Sequence, residues 1–241
     1  MKSNYAQRIL SVWRLVALCF IGSVIITGCG NNEDTTTAGV GSGGTGSLAK
    51  VISGTVADGY LVNATVFLDK NGNGLLDAGE PSTKTDVNGA YALSVDSSDI
   101  GKYPIFALAI EGVTIDKDTN QTVTKSYILS LPKEIVSDSV NSNFISPIST
   151  WIHQTMTANP SRTLTDVMDQ LRVNMKLPVG IDMRADYVNL GSANSPDPNR
   201  DNYRSMHTAA QNMVPIMAQG KPFRNISTSI RVIMGTKMME R

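Results

Sequence analysis

Aromatic residues are scarce, at 6% of 241 positions, and charged residues make up only 17%. Neither sign of charge is in excess, because 21 Lys and Arg balance 21 Asp and Glu, so no strong field draws in nucleic acid or steers an anionic substrate. The chain has two cysteines, Cys19 and Cys29, and two histidines, His153 and His207. G-x-S-x-G, H-E-x-x-H and Cys-x-x-Cys-His spacings are missing, which removes the readable signatures of several hydrolase, zinc-protease and haem chemistries. What is present suffices for a core: 41% of the residues are apolar, and the length suits one or two domains.

The first 28 residues read as a targeting segment. Lys2, Arg8 and Arg14 precede the apolar run Leu15 to Ile26, which is short for a membrane span but fits a secretory signal. The run closes on Ile26-Thr27-Gly28-Cys29, which resembles the lipobox of bacterial lipoproteins. The resemblance implies cleavage before Cys29 and acylation of its thiol, with more than one chain giving a stable anchor. Gly30 stands where that family carries an aspartate for inner-membrane retention, which points to the outer membrane. Cleavage takes away Cys19, so the mature chain is expected to have no disulfide and to need core packing or a metal for stability. It also takes away three cations and no acid, leaving 18 Lys and Arg against 21 Asp and Glu.

Asn31 to Ser47 is rich in Asn, Thr, Gly and Ser, a composition that cannot bury enough surface to order itself. As a flexible tether it would reach roughly 20–25 Å. Gly39-Val40-Gly41-Ser42-Gly43-Gly44 satisfies G-x-G-x-x-G, but no strand leads into it and no helix follows, so dinucleotide binding is rejected.

Strand signals begin near Lys50. Val51 to Ala57 is rich in β-branched residues, and Asn63 to Leu68 alternates toward an acidic loop. Asn88-Gly89 is a turn signal feeding a strand in which Tyr91, Leu93 and Val95 share one face. Pro104 to Ile110, Val113 to Ile115 and Thr122 to Leu131 are further strand candidates. The pattern from Gly54-Thr55-Val56 through Ala64-Thr65-Val66-Phe67-Leu68 to Thr85-Asp86, Gly89 and Tyr91 resembles carboxypeptidase-regulatory-like or prealbumin-like domains. With its acidic loop it also resembles the calcium-binding B-type repeats of bacterial surface adhesins. Both resemblances cover about a third of the chain and imply a small antiparallel sandwich that serves as a spacer, stalk or binding module without catalytic residues.

The acidic loop reads Asp69-Lys70-Asn71-Gly72-Asn73-Gly74-Leu75-Leu76-Asp77-Ala78-Gly79-Glu80. Calcium takes six to eight oxygens at about 2.3–2.6 Å, and short acidic and amide side chains at alternating positions of a tight loop supply them. Asp69, Asn71 and Asn73 would give side-chain oxygens, Leu75 its backbone carbonyl, Asp77 a direct or water-mediated oxygen, and Glu80 two oxygens. Gly74 makes the sharp turn, and Leu76 is expected to pack inward. Strand-like residues before the loop and Pro81 after it place the loop between strands rather than helices. With three formal charges facing the ion, the affinity expected of an exported module is about 10⁻⁴–10⁻³ M.

Helical signals dominate from Ser139. Ser146-Pro147 reads as N-cap and first helical position, with Ile148, Trp151, Ile152 and Met156 on one face. Thr163 and Asp166 make a capping-box spacing ahead of Leu164, Val167, Met168, Leu171 and Met175, and Pro178 is expected to end that helix. A third stripe runs from Asp201 to Met217, through Tyr203, Met206, His207, Ala210 and Met213, with Pro215 interrupting it. Lys221 to Arg241 is basic and reads as a last packing helix, with contact to anionic lipid or a partner as the alternative. Ten of the eleven methionines follow residue 155 at helix-stripe spacings, so they are read as core filling rather than a soft-metal or haem site.

The expected whole is an α+β protein. It comprises a signal peptide (1–28), an acylated cysteine with a linker (29–49), an N-terminal Ig-like or prealbumin-like antiparallel β-sandwich holding calcium (50–138), and a helical C-terminal region (139–241). The expected role is non-catalytic binding or support at the outer membrane, with a glycan, peptidoglycan or an envelope protein as partner and no nucleic acid. An accessory subunit of an envelope complex is the alternative. A polysaccharide- or peptide-processing hydrolase is a third reading, because the geometry of Asp and Glu pairs is invisible in sequence.

Overall fold

The computed structural model describes residues 48–139 and 143–220, all within one compact unit. The expected signal peptide, Cys29, nearly all of the linker and the basic segment 221–241 lie outside the described residues. The content is mixed α and β, as an α+β chain requires.

Strand β1 (Ala49–Val56) turns Ile52 and Val56 inward. It pairs antiparallel with β5 (Ala90–Asp96), whose Tyr91, Leu93 and Val95 are buried in the alternation expected of them. On its other edge β1 pairs parallel with β10 (Asn143–Ile145), a strand contributed by the stretch read as helical. Gly54 permits that pairing: a Cβ there would stand 1.9 Å from the Asn143 carbonyl oxygen.

A second sheet runs β4 (Ser82–Lys84), β3 (Thr65–Leu68), β6 (Ile105–Ala109), β9 (Tyr127–Leu131), with every neighbouring pair antiparallel. These two sheets share one apolar cluster that includes Ile52, Leu93, Val66, Ile105, Leu129 and Ile145. A small third sheet joins β2 (Leu61–Val62), β7 (Ile115–Asp116) and β8 (Gln121–Thr122). The strand signal at Val113 thus resolves two residues later, and Val113 itself lies in a turn.

Helix α1 (Pro147–Ala158) starts where sequence placed it: Ser146 accepts from the Ser149 amide while Ser149 accepts from the Ser146 amide. Ser149 also ties α1 to β9, because its Oγ donates to the Ser130 carbonyl at 2.8 Å. Helix α2 (Leu164–Asn174) has the Thr163/Asp166 box. It stops before Pro178. Lys176 takes the left-handed conformation at φ 55°, and Leu177 donates its amide to the Arg172 carbonyl, a closure that ends a helix without help from proline.

Helix α3 (Tyr187–Leu190) and helix α4 (Arg200–Met217) complete the described chain, with Pro215 in the last turn of α4. The helices enclose a second apolar cluster around Ile148, Trp151, Leu171 and Tyr187. Met175, Met183, Met206 and Met213 are buried in it, which is how adaptable side chains fill a core between helices.

Candidate functional site

The acidic loop spans the gap between β3 and β4, so strands and not helices hold its ends. Asp69 directly follows the apolar strand and is only 1% exposed. A buried carboxyl needs donors. Here the loop's own backbone supplies them: Oδ1 accepts from Gly72 N at 2.7 Å and Asn73 N at 3.3 Å, and Oδ2 accepts from Gly74 N at 2.8 Å. Gly74 has φ +70°, which wraps the backbone around Asp69 at little steric cost.

Glu80 closes the loop on its beginning. Its Oε1 accepts from Lys70 N at 2.8 Å and its Oε2 from Asp77 N at 3.0 Å. Asn71 and Asn73 both send amide nitrogens to Asp77 Oδ2, at 2.7 and 2.6 Å, and these bonds hold the Asp77 carboxyl below its ordinary range. Their carbonyl oxygens accept from the backbone two residues on, Asn71 from Asn73 N and Asn73 from Leu75 N. Lys70 anchors the loop sideways to Asp99 at 2.7 Å.

Five of the six expected ligand residues, Asp69, Asn71, Asn73, Asp77 and Glu80, are therefore joined in one hydrogen-bonded ring. Leu75 lies within it through its amide. Leu76 corrects the expectation: it is 39% exposed, and it is Phe106 that lies beneath the loop, its ring 3.9 Å from where a Gly74 Cβ would be. Phe106 stacks on Phe67 at 5.7 Å and meets His153 edge-on at 5.6 Å, while His153 Nδ1 bonds Ser130 Oγ at 2.9 Å. Burial pushes the His153 pKa down. Among the described residues no three His, Cys, Asp or Glu side chains form a ready cluster for a metal ion.

A second polar site lies where α4 meets the sheets, and spacing gave little sign of it. Asp58, in the turn after β1, is 6% exposed; its Oδ2 accepts from Tyr127 OH at 2.8 Å, while its buried Oδ1 has no partner among the described residues. Burial, reinforced by Asp116 and Asp118, pushes its pKa up to about 7. His207 on α4 meets Asp118 at 2.7 Å through Nε2, and Gln211 Nε2 donates to the same Asp118 oxygen at 2.7 Å.

Burial lowers the His207 pKa, but the Asp118 carboxylate and the Asp58 backbone carbonyl outweigh it and leave a net rise. His207 thus has acceptors facing it from both the sheet turn and the β7–β8 loop, which makes it a tie between elements. The sequence reading set His207 on an apolar stripe and did not single out Asp58 or Asp118. Asp58-Gly59 signals only a turn in sequence; that Gly59 has no room for a side chain, a Cβ there falling 2.4 Å from Asp118 Cγ, emerges only from the fold. Comparison with protein-family models, curated proteins and solved structures finds no match to this chain.

Proposed function

We propose that this chain is an exported bacterial lipoprotein, anchored through Cys29. Its prealbumin-like β-sandwich carries one calcium-stabilised loop and, with the helical region, forms a non-catalytic binding or support module at the outer membrane. The observation that carries the reading is the loop itself: a twelve-residue segment with Asp, Asn, Asn, Asp and Glu at alternating or closing positions, mounted between two strands and drawn around the buried Asp69 carboxyl. The residues fit the ion in kind. Asp69, Asp77 and Glu80 supply charge, and Asn71, Asn73 and the Leu75 carbonyl supply neutral oxygens.

Bound calcium would neutralise the mutual repulsion of the three carboxylates. The chain's own part is to hold them at the end of a β-ladder, so that losing the ion loosens a turn and leaves the helices in place. With the ion well above its dissociation constant, mass action contributes about 1–3 kcal/mol. A domain without disulfides gains from such a clasp. A binding role, with a glycan, peptidoglycan or an envelope protein as ligand, is favoured over catalysis because the serine beside His153 is buried and His207 serves as a tie to Asp118.

The test uses the chain expressed with its leader. Incorporation of labelled palmitate that Cys29→Ala abolishes, together with calcium-dependent retention on a peptidoglycan or glycan column, is the expected result. A chain that takes up no lipid and stays soluble in the periplasm would refute the anchor. One that is retained on none of the matrices and by no envelope protein would refute the binding role.

A further inference from the structure

The acidic loop contains two of the three Asn-Gly pairs in the sequence, Asn71-Gly72 and Asn73-Gly74; the third is Asn88-Gly89. Such pairs are chemically labile, because glycine has no side chain to hinder attack of its nitrogen on the preceding carboxamide. In that reaction the glycine N–H gives its proton to water or hydroxide and the nitrogen bonds to the asparagine Cγ. The Cγ–Nδ2 bond breaks, ammonia leaves, and water then opens the cyclic imide to aspartate or isoaspartate. No electrons are exchanged.

We propose that Asn71 and Asn73 are self-modification sites which the closed loop keeps dormant and which loop opening releases. Both attacking nitrogens are occupied: Gly72 N donates to Asp69 Oδ1 at 2.7 Å and Gly74 N to Asp69 Oδ2 at 2.8 Å. A donor held by a carboxyl group resists losing its proton, so one buried side chain restrains both reactions. Both carboxamides are fixed as well. Their nitrogens, the groups that must leave, bond to Asp77 Oδ2, and their oxygens bond to Asn73 N and Leu75 N. Cyclisation at either site breaks bonds to Asp69 and Asp77 together.

The consequence is specific to this loop. Each event replaces a neutral amide with a carboxylate beside Asp69 and Asp77, and the isoaspartate product lengthens the backbone of the tightest turn in the segment. Opening the loop would therefore start an irreversible change in its charge and shape. This inference uses only hydrogen bonds within the chain and does not rest on the calcium reading.

The test incubates the full chain at neutral pH with a chelator, so that no ion contributes. Peptide mass spectrometry follows the exchange of NH₂ for OH at all three asparagines in the folded protein, in Asp77→Ala and in urea. In urea all three convert together. In the folded protein Asn71 and Asn73 convert slower by about tenfold or more, the factor expected from a modest local opening free energy. Asp77→Ala restores conversion at Asn71 and Asn73 and leaves Asn88 unchanged. Asn88 is restrained separately, since Gly89 N donates to the Asp86 carbonyl at 3.0 Å; should the variant lose protection there too, it has opened globally, and hydrogen exchange at the Gly72 and Gly74 amides of the unaltered protein decides instead: slow exchange supports the lock and free exchange overturns it. Conversion at the unfolded rate in chelator also overturns it, and if calcium then slows that conversion, the ion reading stands while this one fails.

Discussion

His207 Nε2 lies 2.7 Å from Asp118 Oδ2, a contact that joins helix α4 to the β7–β8 loop across 89 positions of sequence. Behind it sits Asp58 with an unpartnered, buried carboxyl oxygen, facing Tyr127 of β9, Asp116 of β7 and Asp118, with Tyr187 of α3 nearby. The pair and the buried acid respond to protons in the same direction near neutrality.

His207 has a raised pKa, so its contribution is present in full below its ordinary value of 6.5 and is lost as pH rises through the folded-state value. Asp58 is raised from 3.8 to about 7, so between those values the folded chain holds a proton that the unfolded chain has released, and stability falls as pH rises. Asp118, held low chiefly by His207, acts oppositely, but its contribution is lost only in strong acid, and His153, held low by burial, acts oppositely below 6.5 and offsets part of the fall there. Melting temperature is thus expected to fall by several degrees between mild acid and mild alkali. Asp58→Asn, which keeps the Tyr127 bond and cannot ionise, should flatten much of that slope, and His207→Gln much of the rest. A chain whose melting temperature is level across the range, or rises, would refute the assignment.

Gly54 should tolerate no side chain. A Cβ at 1.9 Å from the Asn143 carbonyl oxygen cannot be accommodated while β1 and β10 remain paired, since backbone has to move. Gly54→Val is expected to cost about 3 kcal/mol or more, read as the urea midpoint, with near-normal stability as the contrary result.

Phe106 carries the floor of the acidic loop and also touches His153 of α1. Phe106→Ala should destabilise by about 2 kcal/mol, less than a fully buried phenylalanine because the ring is half-buried, and should hasten proteolytic cleavage within 69–80. Unaltered cleavage would show that the loop is held by its hydrogen bonds alone.

What the sequence revealed and what it concealed divide by range. Ser146-Pro147, Thr163/Asp166 and the Tyr91, Leu93, Val95 alternation are settled by neighbours within four residues, and each appears where spacing put it. The acidic loop was legible for the same reason, since its bonds join Asp69 to Gly72, Asn73 and Gly74. The pairing of β1 with β10 and the meeting of His207 with Asp118 were not, because they depend on segments about ninety positions apart, for which one sequence has no periodic signal. Leu76 misled because the calcium-loop template assigns it an inward position, whereas between strands the side chain is exposed.

The most direct test of the account is a calorimetric and thermal titration of the chain from Ser47 onward with calcium, magnesium and chelator, beside the double variant Asp69→Ala, Glu80→Ala. The account predicts single-site calcium binding near 10⁻⁴–10⁻³ M and a calcium-specific rise in melting temperature, both lost in the variant. If the parent chain melts at the same temperature with calcium and with chelator and shows no heat of binding, the loop is a hydrogen-bonded turn and the calcium reading is wrong.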